Sequence, residues 1–257
     1  MDSKPFKIMV ALVLRGDEKP VISQSVFFAE KLNADLTVIH VNQPVLSQPK
    51  GMALERINEE TIRERITSKT KAIVPMHYAG HMCDMEEITR IAHDNGLLII
   101  EDAAQSFGAE INGNKSGSFS TVGAFSMNPM KPLNGYGELG FVVTNDKEKY
   151  KRIKLLRYSG TASIPGNNVT ADSKEVSLNH KIDNINAALL LVSLKYFPEK
   201  QRLINGIAER YNSELTQKVC YQKTSKDEIH GRYVYVITTD KRDELMQYLE
   251  SKNIETK

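Results

Sequence analysis

Cysteine is scarce in this chain. Cys83 and Cys220 are the only two, they stand far apart, and neither has a neighbour at metal-ligand spacing. A disulfide framework and a cysteine-based metal centre are thereby excluded, and a reduced, cytoplasmic protein is the expectation. Long hydrophobic runs are also missing. No apolar stretch approaches the roughly 20 residues that cross a bilayer. The opening "MDSKPFKIMVALVLRGDEK" has an apolar stretch too short and too soon interrupted for a signal peptide. Charge of one sign is lacking as well: 34 basic and 32 acidic residues are well mixed, so no clustered basic face points to nucleic acid. Neither a nucleic-acid nor a membrane partner is expected. No internal repeat or low-complexity tract is found. What is present is ordinary for a globular chain. At 257 residues and 40% hydrophobic content it is long enough for one large α/β domain, or one and a half, with a real core.

Apolar patterning alternates between strands and helices. "KIMVALVL" (7–14) reads as a buried strand, "PVISQSVFFAEKLNA" (20–34) as a helix and "DLTVIHV" (35–41) as a second strand, a β-α-β opening. "NQPVLSQPKG" (42–51), with two prolines and a glycine, is the best linker candidate. A helix follows over 58–66 and a strand over 71–77. "DMEEITRIAHDNG" has both helix ends written in it: Asp84 and Glu87 as a capping box, Gly96 as the stop. "LLIIE" (97–101) is a short, continuously apolar strand, as inside a parallel sheet. Further strands are expected over 122–127 and 140–145, a helix from Asp146, and two helices over 183–197 and 198–215. "RYVYVITT" (232–239) and "DKRDELMQYLESKNI" (240–254) read as a strand and a helix opening a smaller domain. The expected architecture is α/β: a three-layer α/β/α sandwich with a mainly parallel sheet, plus the start of a small C-terminal α/β domain.

Two residues stand out chemically. Asp102 falls at the carboxyl end of a predicted parallel strand, the edge where open α/β sheets bind ligands; a turn or cap role is the ordinary alternative. Lys131 sits in "SMNPMKPL", poor in charge and held by Pro129 and Pro132, before the glycine-rich "NGYGELG". A solvated lysine is the ordinary alternative there, while glycine lets a ligand approach the backbone closely. Met127 and Met130 read as packing around the lysine loop, and both cysteines as small buried side chains.

"EDAAQSFGA", "GSFSTVGAFSMNPMK" and "GELGFVVTND", taken together, resemble the DegT/DnrJ/EryC1/StrS family of pyridoxal-phosphate-dependent sugar aminotransferases. The resemblance runs upstream into "ITSKTKAIVPMHYAG" and downstream through "LNHKIDNINAALLLVSLKYF" to "YVYVITTDKRDELMQYLESKNIETK", about residues 55 to 257. It implies a partial large domain of the type I pyridoxal-phosphate transferases over 51–215 and the beginning of a small domain over 216–257. It implies an enzyme that moves an amino group from an amino acid, glutamate being expected, to a nucleotide-linked keto sugar, as in polysaccharide or antibiotic sugar synthesis. Lys131 would bond the aldehyde of the pyridoxal phosphate cofactor and later move the substrate proton. Asp102 would hold the pyridine nitrogen protonated, making the ring an electron sink. Gln105 would donate to the phenolic oxygen and Ser126 to the phosphate. Asn179 would reach the phosphate from the neighbouring subunit of a homodimer. His77 and Lys181 fall where the family places histidine and arginine and are candidate substrate contacts. His77 has a strand-end histidine satisfied by backbone as its alternative. Lysine is not equivalent to arginine for planar anions.

The family's N-terminal Gly-Thr phosphate turn and stacking aromatic are not found. Residues 1–50 instead resemble the β-α-β opening of a universal stress protein, without that family's glycine-rich phosphate motif. The family also continues past "NIETK", where this chain stops. Two other readings therefore stand beside the enzyme: a non-catalytic, aminotransferase-like fusion or fragment acting as a binding module, and a stress-protein-like nucleotide-binding module.

Overall fold

A computed structural model describes residues 7–11, 35–39, 59–161, 173–175, 177, 179–215 and 219–256. The helix expected over 20–34 and the linker over 42–51 lie outside the described residues. In chain order the elements are β1 (Lys7–Ala11), β2 (Asp35–Ile39), α1 (Glu59–Arg65), β3 (Ala72–Ile73), α2 (Met85–Asp94), β4 (Leu98–Asp102), β5 (Glu110–Ile111), β6 (Asn114–Lys115), β7 (Val122–Ser126), β8 (Gly140–Val143), α3 (Lys147–Arg157), α4 (Asn184–Leu215), β9 (Cys220–Tyr221), β10 (Glu228–Ile229), β11 (Ile237–Thr238) and α5 (Arg242–Ser251).

The central sheet runs β3-β4-β7-β8, its first three strands parallel and β8 antiparallel. β1 and β2 pair in parallel, and β1 runs beside β3. This is the α/β class with a mainly parallel sheet that the alternating pattern predicts. Strand alternation decides what each face does. Ile73 faces Ile99 in register, and α2 lays Met85, Ile88, Ile91 and Ala92 over that face. Removing each large aliphatic side chain from water contributes about 1.5–3 kcal/mol. The opposite face carries Leu98, Ile100 and Val142, all partly exposed.

Both predicted ends of α2 form. The Asp84 carboxylate accepts from Glu87 N at 3.1 Å, while the Glu87 side chain turns to Arg90 at 2.8 Å. Gly96 takes φ +62, Leu97 N donates to Ala92 O at 2.8 Å and Gly96 N to His93 O at 3.2 Å. That pair of bonds is a Schellman stop, in which glycine meets the left-handed backbone without a Cβ clash. Asp146 caps α3 by accepting from Glu148 N and Lys149 N.

Three features depart from the expected elements or add to them. The two helices expected over 183–215 are one helix, α4, with Pro198 inside it. Proline removes one helical hydrogen bond, but Phe197 and Ala208 on either side are both buried, so packing holds the two halves in line. Phe197 meets Phe107 at 4.8 Å between ring centroids and joins a cluster with Phe125 and Phe141. Second, β5 and β6 form a hairpin around Asn112 (φ 51) and Gly113 (φ 79), the doubly left-handed turn for which Asn-Gly is suited. Third, the strand expected over 232–239 narrows to β11. Arg232 has φ 50, and Tyr233 N donates to Ala79 O at 3.0 Å, so the start of that run is drawn onto another loop. Met127 is fully buried, whereas Met130 is 69% exposed, because the Asn128 side chain holds Met130 N in a tight turn at 2.9 Å. Cys83 and Cys220 are buried and form no disulfide.

Candidate active site

Asp102 ends β4 and pairs in register with Ala124 of β7. Ser126 lies two residues further along β7, so it shares the face of Asp102. The carboxylate and the hydroxyl thus sit at the carboxyl ends of adjacent parallel strands, where open sheets place ligands. Asp102 Oδ1 accepts from Ala104 N at 3.1 Å, and its backbone bonds to Pro75 and His77 carry the strand end onto the segment after β3. Gln105 Oε1 accepts from Ala79 N at 2.7 Å. That bond fixes the amide's orientation and leaves its NH2 as the outward donor.

Lys131 lies on the loop after β7. Its amide donates to Asn128 O at 2.9 Å. The loop is held from outside by Lys200 of α4, whose Nζ donates to Pro132 O and Asn134 Oδ1, both at 2.8 Å. Burial pushes the Lys200 ammonium below its ordinary range. The Lys131 amine stands 4.5 Å from the centre of the Tyr233 ring. Tyr233 is tied through Ala79 to Gln105, which links the Lys131 loop to the segment that follows β4. The chemistry of this set (a carboxylate, an amide donor, a hydroxyl and an amine) fits a cationic ring nitrogen, a phenolic oxygen, a phosphate and an aldehyde.

Asn179 and Lys181 lie elsewhere. Asn179 bridges to Tyr158 at the end of α3, its Oδ1 accepts from Lys181 N, and the Lys181 amine is 5.6 Å from the Tyr158 ring centre. Among the described contacts, none joins either residue to the strand-end site. His77 is turned inward and fully buried. Its Nε2 meets Glu101 Oε2 at 3.0 Å, and its Nδ1 accepts from Cys83 N at 3.2 Å, so both ring nitrogens are used within the protein.

Glu101 is the residue that sequence reasoning passed over. It has no exposed surface, and besides His77 it accepts from Gly117 N at 2.7 Å and Phe119 N at 2.9 Å. Burial pushes its carboxyl up, but the bonds from His77 and Gly117 outweigh burial and hold it below its ordinary value. Burial likewise opposes a charged His77, while Cys83 and Glu101 favour one, a balance that would lift the ring to about 9. The hydrogen bonds decide otherwise. A ring protonated at both nitrogens could not accept the Cys83 amide, so His77 is the neutral form with its proton on Nε2 facing a carboxylate. Glu101 and His77 brace β4 immediately behind Asp102. The available signal was a lone acid closing an apolar run, with a histidine at the end of the neighbouring strand.

Tyr233 was also missed, because "RYVYVITT" reads as a strand of a separate domain. Among the described residues no cluster of three or more potential metal ligands exists, and no helix is long and apolar enough to cross a membrane.

Residues 10–257 match the model of the DegT/DnrJ/EryC1/StrS aminotransferase family. A GDP-perosamine synthase from Escherichia coli O157:H7 is 35% identical over 76% of the chain and 53% of its own length. A pleiotropic regulatory protein from Geobacillus stearothermophilus is 34% identical over 78% of the chain and 53% of its own length. A DegT DnrJ EryC1 StrS aminotransferase from Brucella abortus superposes with a TM-score of 0.78 at 27% identity, covering 97% of the chain and 63% of that structure. The fold is thus shared with a solved aminotransferase of this class. The chain belongs to the DegT/DnrJ/EryC1/StrS aminotransferase family. It spans about half the length of the curated relatives it matches. The match takes in residues 10–50 as well as the stretch that carries the family resemblance.

Proposed function

We propose that this chain carries the lysine-bearing site of a pyridoxal-phosphate-dependent aminotransferase. The reaction would move an amino group from an amino acid, glutamate in our reading, to a nucleotide-linked keto sugar. The observation that carries it is Asp102 and Ser126 on one face of adjacent strand ends, with Lys131 on the loop that follows. Relatives named GDP-perosamine synthase and dTDP-3-amino-3,6-dideoxy-alpha-D-galactopyranose transaminase support the nucleotide-sugar substrate class.

When bound, pyridoxal phosphate supplies an electron sink for charge that develops at the carbon losing its proton. Lys131 supplies the amine that holds the cofactor aldehyde and then moves that proton. Asp102, with Oδ1 already fixed by Ala104, would hold the ring nitrogen in its protonated form. Gln105 presents its NH2 to the phenolic oxygen. Ser126 donates to the phosphate. Asn179 serves the phosphate of a second copy, with Lys181 beside it toward the substrate. We place the large domain at 51–215 and the start of a small domain at 216–257. A homodimer is supported by α4, where Ile185, Leu191, Val192, Tyr196 and Ile207 are each more than half exposed, more apolar surface than one helix ordinarily leaves to water. A cytoplasmic location goes with this reading.

The test is the absorbance spectrum of the purified chain with pyridoxal phosphate, before and after glutamate. A cofactor band that bleaches with glutamate and returns with a keto sugar supports the reading. A chain that binds no cofactor is the binding module.

A further inference from the structure

The lysine loop is met by a residue from the other end of the chain. Tyr233 lies beyond β10, yet its ring covers the Lys131 amine at 4.5 Å. We infer that Tyr233 is a positioning residue of this site, seating the Lys131 amine against its ring face. The inference rests on the reading of Lys131 as the amine that holds the cofactor.

Three features place the ring. Gly231 N donates to Gly80 O at 2.8 Å and Tyr233 N to Ala79 O at 3.0 Å, so the segment 231–233 is pinned to the loop that also holds Gln105. The approach is close: a Cβ on Gly80 would stand 2.6 Å from Arg232 N and 3.0 Å from Gln105 O. The backbone there is also costly, with Ala79 at φ 60, Gly80 at φ 90 and Arg232 at φ 50. Non-glycine residues hold such angles only where their surroundings over-determine them. The pinned segment sets Tyr233 directly over a lysine that sits between two loop prolines.

A lysine side chain has four rotatable carbons and, alone, samples many positions. An aromatic face attracts an ammonium, and the usual strength of such contacts corresponds to a bias of about two- to thirtyfold toward the seated position. The bonds that pin Tyr233 are made by its backbone, so they survive any side chain. The ring is therefore separable from the fold: Tyr233→Phe keeps the face, and Tyr233→Leu keeps the bulk but removes it.

The experiment reads position and function separately on the full chain. Lysines are reductively methylated with 13C-formaldehyde, and the Lys131 signal is identified by its loss in Lys131→Arg. In the wild type and Tyr233→Phe this signal moves upfield of the other lysines, because an aromatic face shields it. In Tyr233→Leu it returns to the common position. In parallel, unmethylated protein is mixed with pyridoxal phosphate, quenched with borohydride at timed intervals, and the adduct on Lys131 is counted by peptide mapping. At about pH 10, where a large share of lysine is neutral, Tyr233→Leu forms it at least about twofold more slowly, and Tyr233→Phe recovers the wild-type rate. An unshifted wild-type signal overturns the contact. A shift that is lost in Tyr233→Leu without any change in trapping rate overturns the positioning role. A wild type with no adduct on Lys131 removes the function reading itself, and a retained shift would then mark the ring as structural only.

Discussion

Replacing Glu101 with glutamine should cost this protein a measurable share of its stability, although the two side chains are nearly the same size. The carboxylate accepts from three donors: Gly117 N and His77 Nε2 on Oε2, both buried, and the half-buried Phe119 N on Oε1. Glutamine keeps one acceptor oxygen and places an NH2 where the other oxygen was. His77 cannot answer by moving its proton, because Nδ1 is already taken by the Cys83 amide. The amide therefore keeps its oxygen on Gly117 N and His77 Nε2 and turns its NH2 toward Phe119 N, so one bond to a charged acceptor is lost, at about 1.5–3 kcal/mol. A domain's whole margin is about 5–15 kcal/mol. Urea unfolding at pH 7, followed by circular dichroism, measures it directly. The pH dependence gives a second handle. Glu101 is held below its ordinary value in the folded protein. Its contribution is therefore fully present above the unfolded value and is lost as pH falls through the folded one. The gap between wild type and Glu101→Gln should stay constant from pH 7 to about pH 5 and close in more acid solution. A gap below about 1 kcal/mol at pH 7, or one that widens in acid, would refute the account of this carboxylate.

Two other perturbations have defined outcomes. Gly80→Ala places a Cβ 2.6 Å from Arg232 N at φ +90 and should destabilise by about 2–4 kcal/mol in the same assay; a neutral result would mean the 79–80 and 231–233 segments are not packed as described. His230 is neutral and buried, accepting from Arg232 N at 2.9 Å and facing Gln222 at 3.1 Å. Burial, then the charge of Arg232, lower its pKa from 6.5 to about 2. Between those values the unfolded chain binds a proton that the folded one refuses, so stability falls as pH drops below about 6.5, by up to about 1.4 kcal/mol per unit. His230→Gln should flatten that acid limb, and an unchanged limb would assign it to other groups.

The periodic parts of the fold were legible from residues alone. "LLIIE" and "VGAFSM" had the short apolar runs of inner strands, and Asp84, Gly96 and Asp146 wrote their helix ends in the local sequence. What escaped was decided by distant packing. Pro198 reads as a helix break until Phe197 is seen among Phe107 and Phe125. The run 232–239 has strand-forming residues, but its first part is claimed by the loop at Ala79. The Asn-Gly turn at 112–113 was a local signal that went unread. The site divides in the same way. Asp102, Gln105, Ser126 and Lys131 lie within thirty residues and follow a recognisable order, whereas Glu101 matters through His77, and Tyr233 through a contact spanning about a hundred residues.

The most direct measurement is where pyridoxal phosphate attaches. The protein is incubated with the cofactor, reduced with borohydride, digested and mapped, beside Lys131→Ala and Asp102→Asn. The account predicts one adduct, on the peptide holding Lys131, absent in Lys131→Ala and diminished in Asp102→Asn. An adduct spread over surface lysines, unchanged by either substitution, would contradict it.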